Sequence, residues 1–407
     1  MLQKEITSTE LYISLILFTL PPTWWYFHLP GKHFFGDVIF IIPFIYYAQN
    51  KKFQHIAISF PLVIWMLLTV YHFVNGICNN VPSVDVMDLI HGFKIYACIV
   101  IVAYWACIDF KKTTRILIIS FLARCLVGLL LTLMFGGMDF DDRMTGMGGS
   151  ATQTGQAAAI TGVFIVYYNV IKKCDLTKNI LLFSIPFMVV ILTQSRNSLA
   201  MLLISVFTTA IMYANRSRKM SIVKSLLASF LLIALMYLSL SLFMESAFME
   251  RAISVTEKSE HDLARYYSTG TIFDTILGDR IVYYITGWRL FLTKPLTGIG
   301  MWNYLYLTHG VYPLHSEYMV HLCEGGIIGF TIWSLFNVTI FWIIIKKIKE
   351  QKLKVAALSS MFVLLFCGLY AREFFSEWFF PVYGLIISFL FRKIVRDLKK
   401  YIIRKVI

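Results

Sequence analysis

Apolar residues run along this 407-residue chain in twelve stretches, each bounded by short polar gaps. The pattern predicts helices at about 10–28, 34–49, 56–75, 87–109, 115–136, 152–171, 179–194, 198–214, 222–244, 316–345, 355–371 and 376–396. Each is near the ~20 residues that cross a bilayer core, with allowance for tilt and for short buried helices. Backbone groups in hydrocarbon must be paired internally, and the runs lack the two-residue alternation of a membrane barrel, so helices are the expected solution. The predicted fold class is an all-α polytopic membrane protein with about 12 transmembrane helices, forming one integral membrane domain over 1–407.

Charge adds a direction. Basic residues gather at every second gap: Lys4, Lys51–Lys52, Lys111–Arg115, Lys172–Lys178, Arg216–Lys224, Lys346–Lys354 and the tail from Arg392. These hold most of the 37 Lys and Arg; the other gaps hold only Lys32, Arg143, Arg196, those between Arg251 and Lys294, and Arg372. Positive residues stay on the cytoplasmic side of short loops, which predicts both termini in the cytoplasm. Lys94 and Arg124 fall inside spans, where pairing with Asp88 or another acid would make them structural.

Composition agrees with the class. Hydrophobic residues make up 58% and charged residues 15%, with a mean hydropathy of +0.70. The net charge of +14 is not a nucleic-acid signal, because its excess lies in short loops at one face, where anionic headgroups attract it. The seven cysteines contain no C-x-x-C and give no disulfide or zinc framework. The first span lacks a convincing cleavage site and is expected to be retained.

One gap differs. Residues 245–314 form the one long loop expected on the outer side. The loop begins polar and becomes amphipathic from Gly278 to Phe291, with Ile281, Tyr284, Ile285 and Trp288 at helical spacing and Arg280 and Arg289 between them. Such a segment suits the membrane surface or a cover over a cavity. A long loop punctuated by Pro295, Gly298, Gly300, Gly310 and Pro313 is a natural place for function.

Candidate chemistry collects on that face. Arg196, in L-T-Q-S-R-N-S, lies in a hairpin at the outer interface. It is either an anion ligand, since a guanidinium grips phosphate with two hydrogen bonds, or a snorkelling anchor. Arg280, in L-G-D-R-I-V-Y-Y, either pairs with Asp279 or supplies a second phosphate ligand. His315, in P-L-H-S-E-Y, is either a satisfied polar residue or a general base. Glu317 and Glu324 lie nearby, and an intramembrane carboxylate is a functional candidate. Arg143 precedes the run T-G-M-G-G-S-A-T-Q-T-G-Q, which is no phosphate loop because no G-K-[ST] closes it; its small residues permit close helix approach. Asp139, Asp141 and Asp142 are more simply solvated than metal-bound. Arg372, with Glu373 and Glu377, fits an ion pair or a substrate groove. Positive-inside sorting works against cations on the outer face, and a polyanionic substrate there would favour them.

At these residues the chain resembles the O-antigen ligase and polymerase superfamily of bacterial envelope glycosyltransferases. The resemblance covers most of the chain and rests on three motifs: L-T-Q-S-R-N-S-L-A with Arg196, G-D-R-I-V-Y-Y-I-T-G-W followed by K-P-L-T-G-I-G with Arg280, and P-L-H-S-E-Y-M-V-H-L-C-E-G-G-I-I-G-F with His315. It departs from the ligase pattern at one point, with His315–Ser316 where ligases commonly show His-Asn.

The resemblance implies transfer of a glycan from undecaprenyl diphosphate to an acceptor sugar hydroxyl at the periplasmic face of the inner membrane, with inversion and without a metal or other cofactor. In a ligase the acceptor is lipid A–core oligosaccharide, placing the enzyme in lipopolysaccharide biosynthesis. In a polymerase it is a lipid-linked repeat unit. Arg196 and Arg280 would then hold the diphosphate and His315 would deprotonate the acceptor. Tyr284 and Trp288 (with Tyr283) would cover sugar or lipid or simply pack, and Arg143, Arg372 and Glu324 would line the substrate site. The favoured expectation is a ligase, with a polymerase as alternative. A transporter or flippase is the more distant one, because transporters usually bind substrate near the midplane between repeated halves.

Overall fold

One residue interrupts the longest apolar run. The computed structural model describes residues 10–18, 39–82, 84–135, 144, 151–172, 176–214, 280–308, 314, 316–370 and 378–391. Val86–Phe135 is helical over 50 residues, which laid straight would extend ~75 Å, more than twice a hydrocarbon core. Asp109 breaks it with φ −148° and ψ 95°. Its carboxylate accepts from Lys112 N at 3.0 Å and its carbonyl from Thr113 Oγ1 at 2.8 Å, so Asp109 acts as the cap of a second helix. The spans predicted at 87–109 and 115–136 are thus two halves meeting at a polar turn flanked by Lys111, Lys112 and Arg115.

In chain order the described helices are α1 (10–18), α2 (Ile41–Ala48), α3 (Lys51–Ala57), α4 (Phe60–Cys78), α5 (Val86–Phe135), α6 (Ala151–Lys172), α7 (Leu176–Leu192), α8 (Arg196–Ala214), α9 (Arg280–Thr293), α10 (Asn303–Leu307), α11 (Glu317–Met319), α12 (Gly326–Lys347), α13 (Gln351–Tyr370) and α14 (Phe380–Ile387). A π-helical turn, Val320–Glu324, joins α11 to α12, and a 3-10 turn, Ser388–Leu390, follows α14. Phe60–Cys78, Val86–Met134, Ala151–Lys172, Gly326–Lys347 and Gln351–Leu369 are long and apolar enough to cross a membrane; Thr177–Leu192, Asn197–Met212 and Phe380–Leu390 are apolar but shorter.

The expected 12 spans are therefore not reached among the described residues. The span predicted at 222–244 and the second part of 10–28 lie outside them. Of the one predicted at 34–49, residues 34–38 lie outside the described residues and the rest forms α2, which stops where Asn50 turns the chain and caps α3, its Oδ1 accepting from Lys52 N at 2.9 Å.

Burial follows from composition. α5 is apolar on every side from Ile95 to Ala106, and all of those residues are buried, as expected for a helix with no polar face. α14 and α4 pack against it. Large apolar side chains that remain exposed, such as Leu67, Val74, Val338, Trp342 and Phe362, lie on the spanning helices, where lipid would cover them. α6 and α8 approach closely through small residues: a Cβ at Gly155 would sit 2.7 Å from Ser198 Oγ, and one at Gly162 2.8 Å from Leu202 Cδ1.

The helix predicted at 316–345 is split, which corrects that expectation. The π turn and Gly326, at φ +65°, interrupt the helical ladder and leave backbone groups that apolar surroundings cannot satisfy. Residues 295–300 supply the partners. Ile299 N donates to Cys323 O and Gly300 N to Glu324 O, both at 3.0 Å, while Ile327 N donates to Pro295 O at 2.9 Å and Ile328 N to Leu296 O at 3.2 Å. The approach needs glycine on both sides. A Cβ at Gly298 (φ +74°) would lie 2.5 Å from the Glu324 carbonyl, and one at Gly326 2.4 Å from Gly298 N and Leu296 O.

Gly298→Ala and Gly326→Ala should each lower thermal stability in detergent by ~2 kcal/mol or more, from left-handed backbone strain plus a backbone clash. Gly287→Ala should cost less, since its Cβ would crowd the flexible end of Met319 at 2.9 Å and meet Leu314 Cδ1 at an ordinary 3.4 Å, with no backbone in the way. Equal melting temperatures for all three variants would refute the junction's stabilising role.

Candidate active site

The first motif forms the turn between α7 and α8. Gln194 takes φ 50° there, an uncommon conformation for a residue with a side chain. Ser195 caps α8: its Oγ lies 3.4 Å from Ser198 N and its carbonyl accepts from Leu199 N at 3.0 Å. Arg196 is consequently the first residue of α8. Met144 N donates to Leu192 O at 2.9 Å, which brings the chain just after position 143 beside this turn.

The second motif forms α9, so the amphipathic helix expected from Gly278 to Phe291 is present as Arg280–Thr293. Gly287 and Phe291 are buried, Tyr284 is half-buried and Trp288 is 49% exposed, its ring against Phe291 at 5.1 Å. The third motif forms α11 and the π turn. Ser316 is the N-cap of α11, and Leu314, Ser316 and Glu317 are buried.

These three distant segments meet on the last turns of α13. Asn197, next to Arg196, places its Nδ2 3.8 Å from Cys367 Sγ. Tyr318, three residues after position 315, donates to Leu365 O at 3.1 Å. Tyr284, one turn after Arg280, donates to Leu369 O. The last four carbonyls of a helix have no partner within it, so Tyr284 supplies a donor at Leu369 where α13 needs one, while Tyr318 adds a second donor to a carbonyl one turn earlier.

The second and third motifs also share a support on α4. Asn75 Nδ2 donates to Thr297 O at 2.7 Å and to Glu324 O at 2.8 Å. The Tyr71 hydroxyl lies 2.7 Å from Gly325 O and 3.1 Å from Thr297 O. Lys294 Nζ donates to Asn79 Oδ1 at 2.6 Å, and Asn79 Nδ2 donates back to Asn75 Oδ1 at 2.8 Å. His72 Nε2 is 2.9 Å from His321 Nδ1, and His321 Nε2 is 2.8 Å from Glu317 Oε1.

Of the residues singled out from sequence, Arg196 and Arg280 are placed by backbone as the first residues of α8 and α9. His315, Arg143, Arg372 and the acids 139–142 lie outside the described residues. Glu324 is fully buried, and its carbonyl serves the junction with Asn75 and Gly300. Arg124 stacks on Trp378 at 3.6 Å and donates to Phe18 O at 3.0 Å. Among the described residues, no group of three or more His, Cys, Asp or Glu is arranged to hold a metal ion.

Sequence reasoning missed Tyr71, His72, Asn75 and His321. The signal was present: polar residues recur at helical spacing along the apolar α4, and polar groups inside a span are functional candidates.

Residues 181–334 match a family model described as O-antigen ligase, whereas no curated protein matches the chain. The matched stretch encloses all three motifs. Family members are glycosyltransferase-like enzymes acting on lipid-linked glycans. Over residues 181–334 the chain is similar to the O-antigen ligase family, a match that supports the resemblance to the ligase and polymerase superfamily.

Proposed function

We propose that this protein is an inner-membrane O-antigen ligase, transferring a glycan from undecaprenyl diphosphate to lipid A–core oligosaccharide at the periplasmic face. The supporting observation is the meeting of Asn197, Tyr284 and Tyr318, neighbours of Arg196, Arg280 and His315, on one end of α13, within the family match. The long segment 245–314 would lie on the periplasmic side, with both termini in the cytoplasm.

The chemistry suits these residue types. The acceptor hydroxyl oxygen attacks the anomeric carbon as the bond from that carbon to the diphosphate oxygen breaks, and the bonding pair leaves with the phosphate. Arg196 and Arg280 hold the diphosphate and stabilise its growing charge. Arg196 opens a 19-residue helix, whose free N–H groups and dipole favour an anion at the same end. His315 takes the acceptor's proton. Attack opposite the leaving group inverts the anomeric carbon, and the guanidinium groups supply the positive charge without a metal. Arg143, Arg372, Glu324, Tyr284 and Trp288 are the proposed substrate contacts.

A polymerase of the same superfamily is the second reading, favoured by Ser316 in place of the asparagine common in ligases. Gel analysis of a deletion strain separates the two. Loss of a ligase leaves core without O-antigen while lipid-linked polymer accumulates; loss of a polymerase leaves core bearing a single repeat unit. A strain with unaltered lipopolysaccharide would contradict both.

His315→Ala should abolish transfer, by ~10²-fold or more, while membrane expression is retained; transfer at the wild-type rate would remove His315 from the base role. Arg196→Ala and Arg280→Ala should lower transfer by ~10²-fold, and Lys at either position should recover part of it. Ala variants that use lipid-linked donor as well as the wild type does would rule out the diphosphate contact.

A further inference from the structure

The family match begins at residue 181, yet the second and third motifs both rest on α4, residues 60–78. Tyr71, His72 and Asn75 recur along one face of this helix, Asn79 caps its end, and each bonds a residue of the 294–325 region. The contact with His72 differs from those of Tyr71 and Asn75, which reach backbone carbonyls, because it is made side chain to side chain, and from the exposed Asn79–Lys294 bond because it is buried. His72, His321 and Glu317 form a buried chain, with His72 2%, His321 0% and Glu317 2% exposed.

The chain has a direction at its Glu317 end. A carboxylate accepts, so the hydrogen on His321 Nε2 points to Glu317. The bond between His321 Nδ1 and His72 Nε2 takes its direction from the tautomers of the two rings. The His321 ring stacks on Trp333 at 5.2 Å with an interplanar angle of 26°, and Trp333 also packs edge-on against Tyr318 at 5.0 Å. The tilt and position of His321 are thereby fixed from three sides. Through Glu317 the same bonds fix the start of α11, one residue beyond Ser316. Burying this carboxylate without such a donor would be costly, so the chain has a strong preference for one register against α4.

We propose that α4 is the backing helix of the transfer site and that His72, His321 and Glu317 are positioning residues for the reaction. They hold the third motif in register with the second, which Tyr71 and Asn75 of the same helix hold through Thr297, Glu324 and Gly325. This inference rests on the proposed transfer reaction for its effect on turnover, but the positioning itself is measurable without activity.

Two measurements on full-length protein in detergent or nanodiscs test it. His321→Phe keeps a stacking ring and deletes both polar contacts; His321→Gln keeps one donor and one acceptor. Hydrogen exchange of the peptide spanning 316–324 should quicken at least tenfold in His321→Phe and stay within threefold of wild type in His321→Gln. With lipid-linked glycan as donor, His321→Phe should lose at least tenfold in kcat while the donor KM changes less than twofold, and His321→Gln should recover most of the turnover. Wild-type exchange and turnover in His321→Phe would overturn the proposal, as would equal damage in both variants. If His321→Phe does not fold, His72→Phe, which leaves the Glu317–His321 bond in place, should quicken the same exchange, and unchanged exchange would again overturn the proposal. Failure of the wild type to transfer glycan at all, with the exchange pattern as expected, would instead reject the proposed reaction and leave the positioning chain standing.

Discussion

A helix broken among apolar residues must find new partners for the backbone it frees, and the architecture of this protein follows from how that is solved. The π turn and Gly326 leave carbonyls and N–H groups with no partner inside the helix. The turn segment 295–300 pairs with them from one side and the Asn75 and Tyr71 side chains from another. The solution works only because Gly298 and Gly326 let two backbones touch. Two stretches that sequence shows as separate motifs are therefore halves of one junction.

The junction stands at the end of the bundle where α8 begins and α13 ends. There the turn carrying Arg196 meets α13 through Asn197 and Cys367, and α9 and α11 reach the same helix end through tyrosine hydroxyls. Each contact involves a residue one to four positions from a candidate catalytic residue. The backbones of Arg196, Arg280 and Ser316 are thus drawn toward one helix end by bonds that belong to nearby residues.

Much of this was legible in the sequence. Hydropathy placed the apolar helices, the basic gap Lys111–Arg115 separated two of them, and the spacing of Tyr284 and Trp288 announced a helix within the long loop. Trp288 turned out to be largely exposed while Gly287 and Phe291 are buried, because the small residue marks the contact line that hydrophobicity alone does not. The break at 320–326 was illegible because hydropathy averages over a window and is blind to a residue's backbone angle. The polar face of α4 was legible in kind but not in meaning: His72 and Asn75 could be seen inside a span, but their partners lie 249 residues away in sequence. A pairing across that separation has no local signature.

The central claim is that three distant segments bring two guanidinium groups and an imidazole to one diphosphate. The most direct test is an experimental structure of the full chain in nanodiscs with undecaprenyl diphosphate bound. The account predicts both Arg196 and Arg280 in contact with the diphosphate oxygens and His315 on the opposite side of the reacting position, open to an acceptor. A diphosphate bound at the other end of the bundle, or touched by neither arginine, would contradict it.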